Sequence, residues 1–426
     1  MNSDRRSERT QAQGAAILLK NAHIFDGTSD ECPEGMQVLI EGGTIRELSS
    51  SPIRATGAQV IDVGGRTLMP GLIDAHIHAY FCDVNWQKMD AAGEAYRTAH
   101  AVRMLDFALN CGFTTVRDIG GGDYGLWRAI QDGLIRAPRF FYVGKMLSMT
   151  GGHGDTRGMN DKHHTQGYCS CGDANALSVV ADGVEACVKA AREELRRGAH
   201  CIKIMASGGA ASPSDPIWMN QYREEEIRAI VNETTERRTY TSAHCHPASA
   251  VKRCVEFGVR VIEHGTLIDD ETARFVANRG AYVVPTLVII QVLAEQGRQL
   301  GLLPASQEKV EFIFRQALQG LESMSRADVK IGFGTDLLGE TYTQQCREFA
   351  LRKAVFSPLE ILRQATSNNA ALLQQEDKLG CIKPGAHADL LVVDGDPLKD
   401  IELLAASGQH LRLIMRAGEL IRNELG

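Results

Sequence analysis

Residues 71–80 read GLIDAHIHAY, which sets Asp74, His76 and His78 at every second position of an otherwise apolar run. On a strand, side chains alternate between faces, so these three would share one face. Two imidazoles converging on one point amount to half a metal site; a pair of hydrogen-bonded core histidines is the plainer alternative. Other chemistry-bearing residues recur in similar surroundings: Lys203 within CIKIMASGG, His244 toward the end of TYTSAHCH, His264 in VIEHG and Asp336 closing IGFGTD. Lys203, flanked by Ile202 and Ile204, admits three readings. It could form a Schiff base with its pKa lowered by burial, or snorkel to one end of a barrel. Its neutral amine could also add CO2, giving a carbamate that bridges two metal ions as a carboxylate would. Only the third accounts for the imidazoles and the carboxylate on neighbouring runs.

These residues stand at or near the carboxyl ends of strand-like runs. The runs are LIDAHIHAY, FTTVRDIG, RFFYVGKMLSM, HCIKIMAS, TYTSAHCH, RVIEHGT, AYVVPTL and VKIGFGTD. Between most of them lie helical patterns, such as DGVEACVKAAREELRRG, which stops at Gly198, and REEEIRAIVNETTERR. Eight strands joined by helices predict a (β/α)8 barrel, whose catalytic groups gather at the carboxyl ends of the strands. A doubly wound open sheet is the alternative, but no Gly-rich phosphate loop follows the first strand. Short, Gly-punctuated β-type runs occupy residues 16–69 and 376–426. They are expected to pair into one small sheet domain, with the barrel inserted at 70–375 and a polar, disordered-looking tail at 1–15.

Bulk properties agree. A barrel takes ~250 residues, and the 426 residues here leave room for a companion. The chain is 44% hydrophobic and 23% charged, an ordinary globular composition. Its net charge of −7 is spread with both signs mixed, which argues against a nucleic-acid partner. No run approaches the ~20 apolar residues that cross a bilayer, and MNSDRRSERTQAQG lacks the apolar centre of a secretory signal. Eleven scattered cysteines read as reduced thiols of a cytoplasmic protein. The close pair Cys169 and Cys171 has no second pair to complete a zinc knuckle.

The ordered set DAHIHAY, KIMASGG, SAHCHP, IEHGT and FGTD, with the flanks LMPGLID and GCIKPGAHADLLVVDGDP, resembles the amidohydrolase superfamily in its binuclear, carboxylated-lysine form. The match runs from about residue 16 to 420. The resemblance implies a distorted (β/α)8 barrel with a small β-sandwich built from both termini. It also implies two divalent ions, with His76, His78 and Asp336 on the more buried one, His244 and His264 on the other, and N6-carboxylated Lys203 bridging. Zinc suits this ligand set, and manganese, iron or cobalt could occupy it. A hydroxide shared by two cations is a nucleophile at neutral pH, because metal binding lowers the pKa of water from ~15.7 toward ~7. Asp336 would take the proton as the hydroxide attacks and pass it to the leaving nitrogen. A homo-oligomer is expected on the same grounds.

Run three leads into SMTGGHGDTRGMNDKHHTQGYCSCGD, a loop at the expected barrel mouth, where specificity resides. TGGHG resembles a branch that hydrolyses amide bonds to amino acids: Xaa-Pro-type and other dipeptidases, carboxypeptidase-like enzymes and ochratoxin-type amidases, related to imidazolonepropionases. His153 is then a candidate substrate contact, or else it pins a Gly-rich loop. His246, two residues after His244, would face the same cavity; it could contact substrate or replace His244 as ligand, and the family motif favours His244. Tyr222 and Arg223 follow on the loop after run four, where Arg223 could pair with a substrate carboxylate or stand as a solvated charge at a helix start. His163 and His164 read as loop surface. The expected activity is hydrolysis of a small-molecule amide, an N-acyl amino acid or dipeptide-like compound. A cyclic-amide hydrolase, a lactonase or a carbamate or urea hydrolase could use the same site. A mononuclear deaminase is disfavoured because SAHCHPAS lacks the glutamate such members carry, and a non-catalytic scaffold because every expected ligand is present.

Overall fold

The computed structural model describes residues 16–157, 177–210, 212 and 215–425. Five strands open the chain: β1 (Ile17–Ile24), β2 (Met36–Glu41), β3 (Thr44–Ser49), β4 (Gln59–Asp62) and β5 (Thr67–Pro70). The middle holds β6 (Leu72–Ile77), β7 (Phe113–Asp118), β8 (Arg139–Tyr142), β9 (Met146–Ser148), β10 (Ser178–Val180), β11 (Ile202–Met205), β12 (Thr241–Pro247), β13 (Val261–Leu267), β14 (Tyr282–Val284) and β15 (Lys330–Ile331). Three strands close it: β16 (Leu390–Val393), β17 (Leu411–Arg416) and β18 (Glu419–Asn423). One compact unit gathers the described residues up to Ile73, Ala108–Thr115 and those from Ser357 onward; the other gathers Asp74–Phe107 and Val116–Phe356.

In the first unit both chain ends share one mixed sheet, ordered β18-β17-β16-β5-β1-β2-β3, with β4 also on β1. The ladder of β1 with β2 shifts between Leu19 and Ala22, and β1 pairs in parallel with β4 through its first half and with β5 through its second. Irregularities of this kind bend and twist a strand, which is how one segment serves two neighbours. Leu19, Ile24, Val38, Ile40, Val392 and Leu413 bury one face of these strands as a core.

The second unit is parallel-stranded and barrel-like. Seven strands run β10-β9-β11-β12-β13-β14-β15, and β6-β7-β8 form a shorter sheet. Backbone bonds from His200 N–H to Tyr142 O (2.8 Å), Ala75 N–H to Phe333 O (2.9 Å) and Asp336 N–H to His76 O (2.8 Å) bridge the breaks. The result is the distorted (β/α)8 barrel expected. Strand β11 and most of β12 and β13 are buried on both faces, so the polar residues they carry, such as Lys203, His244 and Glu263, lie inside the barrel rather than alternating out to solvent. The helices Val184–Arg196, Glu224–Glu236, Ala248–Glu256 and Asp270–Asn278 fall where the periodicity predicts them. Among the described residues no helix is long and apolar enough to cross a membrane.

Three details depart from the sequence reading. RFFYVGKMLSM is two strands, because Gly144 takes a left-handed turn (φ 73°) and a side chain there would meet the Glu194 carboxylate at 2.0 Å. AYVVPTL ends its ladder at Val284, and a helix begins at Leu287 just past Pro285. VKIGFGTD contributes only Lys330–Ile331 to the ladder; the rest is irregular backbone tied to β6 by the bonds above. The candidate pair Cys169 and Cys171, together with His163 and His164, lies outside the described residues.

Candidate metal centre

His76 stands on β6 with both ring nitrogens committed to the barrel interior. Its Nδ1 lies 2.8 Å from Glu263 Oε2, and an ionised carboxylate only accepts, so the imidazole donates there. Glu263 also accepts from Arg117 Nη2 (2.7 Å) and from the Ser242 hydroxyl. Arg117 in turn donates through Nε to Ala75 O at 2.6 Å. Burial opposes the Glu263 carboxylate, but Arg117 and His76 outweigh it and hold its pKa below the usual range. With Nδ1 engaged, Nε2 of His76 points away; it is buried and among the described residues has no hydrogen-bond partner. It lies 3.2 Å from Asp336 Oδ1, and His78 Nε2 lies 3.1 Å from the same oxygen.

The other end of the cluster is backed by neutral groups. His264 Nδ1 meets the Thr286 hydroxyl at 2.8 Å, His246 Nδ1 the Thr266 hydroxyl at 3.2 Å, and His244 Nε2 the Gly208 carbonyl at 3.3 Å. Rings stack or meet edge to face: His246 on His264 at 4.9 Å, His244 against His264 at 4.7 Å. Burial and neighbouring imidazoles push His244 and His264 well down and His246 down to about 3. These rings are therefore neutral at pH 7, the form that ligates metal. His264 (φ 69°) and Asp336 (φ 56°) both hold left-handed backbone, a conformation uncommon for non-glycine residues though His and Asp enter it more readily than most.

Lys203, from β11, lies among these groups at 1% exposure. No hydrogen bond or ion pair joins its amine to another described residue. Burial lowers its pKa, against the partial opposition of Glu263 and Asp336.

The structure brings His76, His78, Lys203, His244, His264 and Asp336 to one cavity, and His153 and His246 line it too. His153 stacks on His244 at 4.4 Å. Its Nδ1 lies 2.9 Å from Ser212 Oγ and 3.2 Å from Asp215 Oδ2. Gly209 lies beneath it, where a Cβ would meet the ring at 2.1 Å. Tyr222 and Arg223 do not line this cavity. Tyr222 is buried in a left-handed turn (φ 59°), and Arg223 is the exposed N-cap of the helix Glu224–Glu236, its N–H bonded to Glu226. The helix start points the arginine to solvent, so the solvated-charge alternative describes it.

Four partners escaped the sequence reading: Glu263 and Arg117 behind His76, and Asp215 and Lys309 behind His153. Lys309 Nζ donates to three carbonyls of the loop that holds His153, those of Gly209 (3.0 Å), Ser212 (2.6 Å) and Asp215 (2.7 Å).

The donor set fits two adjacent divalent ions. His76, His264 and Asp336 offer ligand atoms within 4.8 Å of one another, and so do His244, His246 and His264; the buried Nε2 of His76, which makes no hydrogen bond among the described residues although Asp336 Oδ1 lies 3.2 Å away, is the kind of atom a cation satisfies. The geometry accommodates either His244 or His246 beside His264. The sequence pattern of the amidohydrolase family matches residues 67–420. A crystal structure of an amidohydrolase is 47% identical, with a TM-score of 0.94 over 97% of this chain and 100% of that one. A prolidase structure complexed with N-methylphosphonate-L-proline is 42% identical, with a TM-score of 0.92 over 96% and 100%. Ochratoxinase of Aspergillus niger is 31% identical over 352 residues, 79% of this chain and 72% of its own length. The chain thus belongs to the amidohydrolase family, as a metal-dependent hydrolase of amide- or peptide-like bonds.

Proposed function

We propose that the protein cleaves N-acyl amino acids or dipeptide-like amides. His76, His78 and Asp336 would hold the more buried divalent ion, His244 and His264 the other, and carboxylated Lys203 both; zinc is the proposed metal. When bound, such a pair of ions lowers the pKa of water toward ~7 and polarises a carbonyl. Lys203 is suited to its part because burial favours the neutral amine. That amine forms an N–C bond with CO2 and sheds one proton, leaving the carbamate anion. Asp336 remains ionised, since His76, His78 and His264 hold its carboxyl well below the usual range despite burial. It accepts the proton of the attacking water and delivers it to the leaving nitrogen. His246, engaged through Nδ1 by Thr266, presents Nε2 to the carbonyl or carboxylate of the substrate, and His153 lines the same cavity as a second substrate contact.

The observation that carries this reading is the convergence of six imidazoles, a buried lysine and a carboxylate on one cavity. The choice of substrate is supported by relatives: the prolidase with its proline phosphonate, an Xaa-Pro dipeptidase with bound methionine, 27% identical with a TM-score of 0.86, and the ochratoxinase. We also propose a reducing, cytoplasmic setting, supported by nine described cysteines that are all free thiols. A homo-oligomer is supported by Phe312, Phe314 and Leu318, each more than 40% exposed.

The test is a panel of N-acyl amino acids, dipeptides including Xaa-Pro, and cyclic amides, offered to metal-loaded protein. Cleavage of linear amides faster than ring opening is expected. Failure on every linear member overturns the substrate class.

A further inference from the structure

The segment between β14 and β15 holds three helices, Leu287–Gln296, Pro304–Phe314 and Ala317–Arg326, where a barrel unit requires one. The first, LVIIQVLAEQ, is apolar nearly all round, more than packing on one side demands. Its Ile289, Ile290 and Leu293, with Val310 and Ile313 of the second helix, line the metal-centre cavity. None of the five is more than 7% exposed. Metal binding and proton transfer, as derived above, use strand ends and make no use of this aliphatic wall. Among the described residues lining the cavity, Lys203 is the sole lysine or arginine, so a substrate group turned toward the helices meets no cation.

We propose that the helices Leu287–Gln296 and Pro304–Phe314 form a binding subsite for a bulky aliphatic or aromatic group of the substrate. The favoured amide then carries a large apolar group within a few bonds of its scissile carbonyl. The assignment rests on the amide-hydrolase reading and narrows it: two amides alike at the reacting bond are told apart by apolar bulk. Each methylene buried against the wall raises kcat/KM roughly fourfold until the space is filled.

Two substrate series test this with metal-loaded protein. One lengthens the acyl chain on alanine from acetyl through butanoyl to hexanoyl; the other keeps acetyl and enlarges the amino acid from Ala through Val and Leu to Phe. At least one series is expected to climb roughly fourfold per methylene. That climb should flatten in Ile290→Ser and Ile313→Ser, or weaken measurably in Ile290→Val should the serine variants not fold. Flat rates in both series overturn the subsite, as does a climb that every variant retains. The same compounds are titrated calorimetrically. Affinity that grows with bulk while no amide is cleaved upholds the wall and sinks the proposed function instead; absence of any such growth, with no cleavage, sinks the wall.

Discussion

His76 and His264 approach the same Asp336 carboxylate, yet the barrel supports them by opposite means. Behind His76 stand Glu263 and Arg117, an ion pair 2.7 Å apart at 0–1% exposure. Burial presses His76 toward the neutral form, but Asp336 and Glu263 outweigh it and leave its pKa raised. Behind His264 stands the neutral Thr286 hydroxyl, with Asp336 Oδ2 3.9 Å from the same ring nitrogen, and burial leaves that imidazole well below its ordinary value. A carboxylate behind an imidazole fixes its tautomer and strengthens it as a donor, at the cost of burying charges that are ruinous to separate. A hydroxyl orients the ring without that liability. The difference teaches that one end of the cluster is built as a rigid anchor and the other as a neutral, lightly held face beside His153 and His246, where substrate is proposed to bind.

The largest expected effect removes what the two ends are proposed to share. Lys203→Ala should lower kcat/KM by at least roughly a thousandfold, equivalent to ~4 kcal/mol of transition-state stabilisation. Metal content should fall from two ions per chain to one or none, and short carboxylic acids should restore part of both. Undiminished turnover with two ions retained would falsify the carbamate bridge. Next comes the asymmetry itself. Glu263→Gln leaves Arg117 buried without its counter-charge, a loss of ~3–5 kcal/mol by the usual measure of broken buried pairs, and should weaken metal binding ~10–100-fold. Thr286→Val removes one neutral hydrogen bond, worth ~1 kcal/mol. Denaturant unfolding and metal titration of both variants decide the matter; equal losses would erase the distinction between the two ends.

The contrast also explains what could be read from the chain. A histidine or lysine inside an apolar strand is conspicuous, so β6, β11, β12 and β13 announced the residues that line the cavity, and Asp336 was marked by FGTD. Their supports were not conspicuous. Glu263 and His264 are neighbours, and strict alternation would send them to opposite faces. The left-handed backbone at His264 breaks that alternation, so both reach the cluster: Glu263 to His76, His264 to Asp336. Lys309 lies on a helix 94–100 positions beyond the carbonyls it binds, a proximity created only by folding. RFFYVGKMLSM misled for a local reason, since its β-type residues hide the turn at Gly144. Arg223 was open to two readings, and its place as the exposed N-cap of the helix Glu224–Glu236 agrees with the solvated charge.

A pH experiment separates the neutral face from the anchor. Burial holds His246 at about 3 against the ordinary 6.5. Between those values the unfolded chain takes up a proton that the folded one refuses, so this residue's contribution to stability is full above pH 6.5 and declines as pH falls. In metal-free protein, wild type should therefore lose stability relative to His246→Gln below about pH 6, by at most ~1.4 kcal/mol per pH unit. Parallel curves for the two proteins from pH 7 to 5 would show that the ring carries no such linkage.

The smallest effect concerns how the neutral face is held in place. His153 sits on a loop, and its partners Ser212 and Asp215 belong to another loop, so strand geometry fixes neither. Lys309 supplies the missing rigidity by binding three carbonyls of that second loop at once. Lys309→Met keeps the length and apolar stem of the side chain but removes all three donors, leaving the carbonyls to water. None of the three carbonyls belongs to the proposed ligand set, so metal content should stay close to the wild-type value while kcat/KM falls on the order of tenfold, ~1.4 kcal/mol. Combining it with His153→Ala should add little, because a clamp acting through His153 has nothing left to position. Full additivity would mean that Lys309 acts elsewhere, and that the face beside the substrate keeps its shape without the clamp.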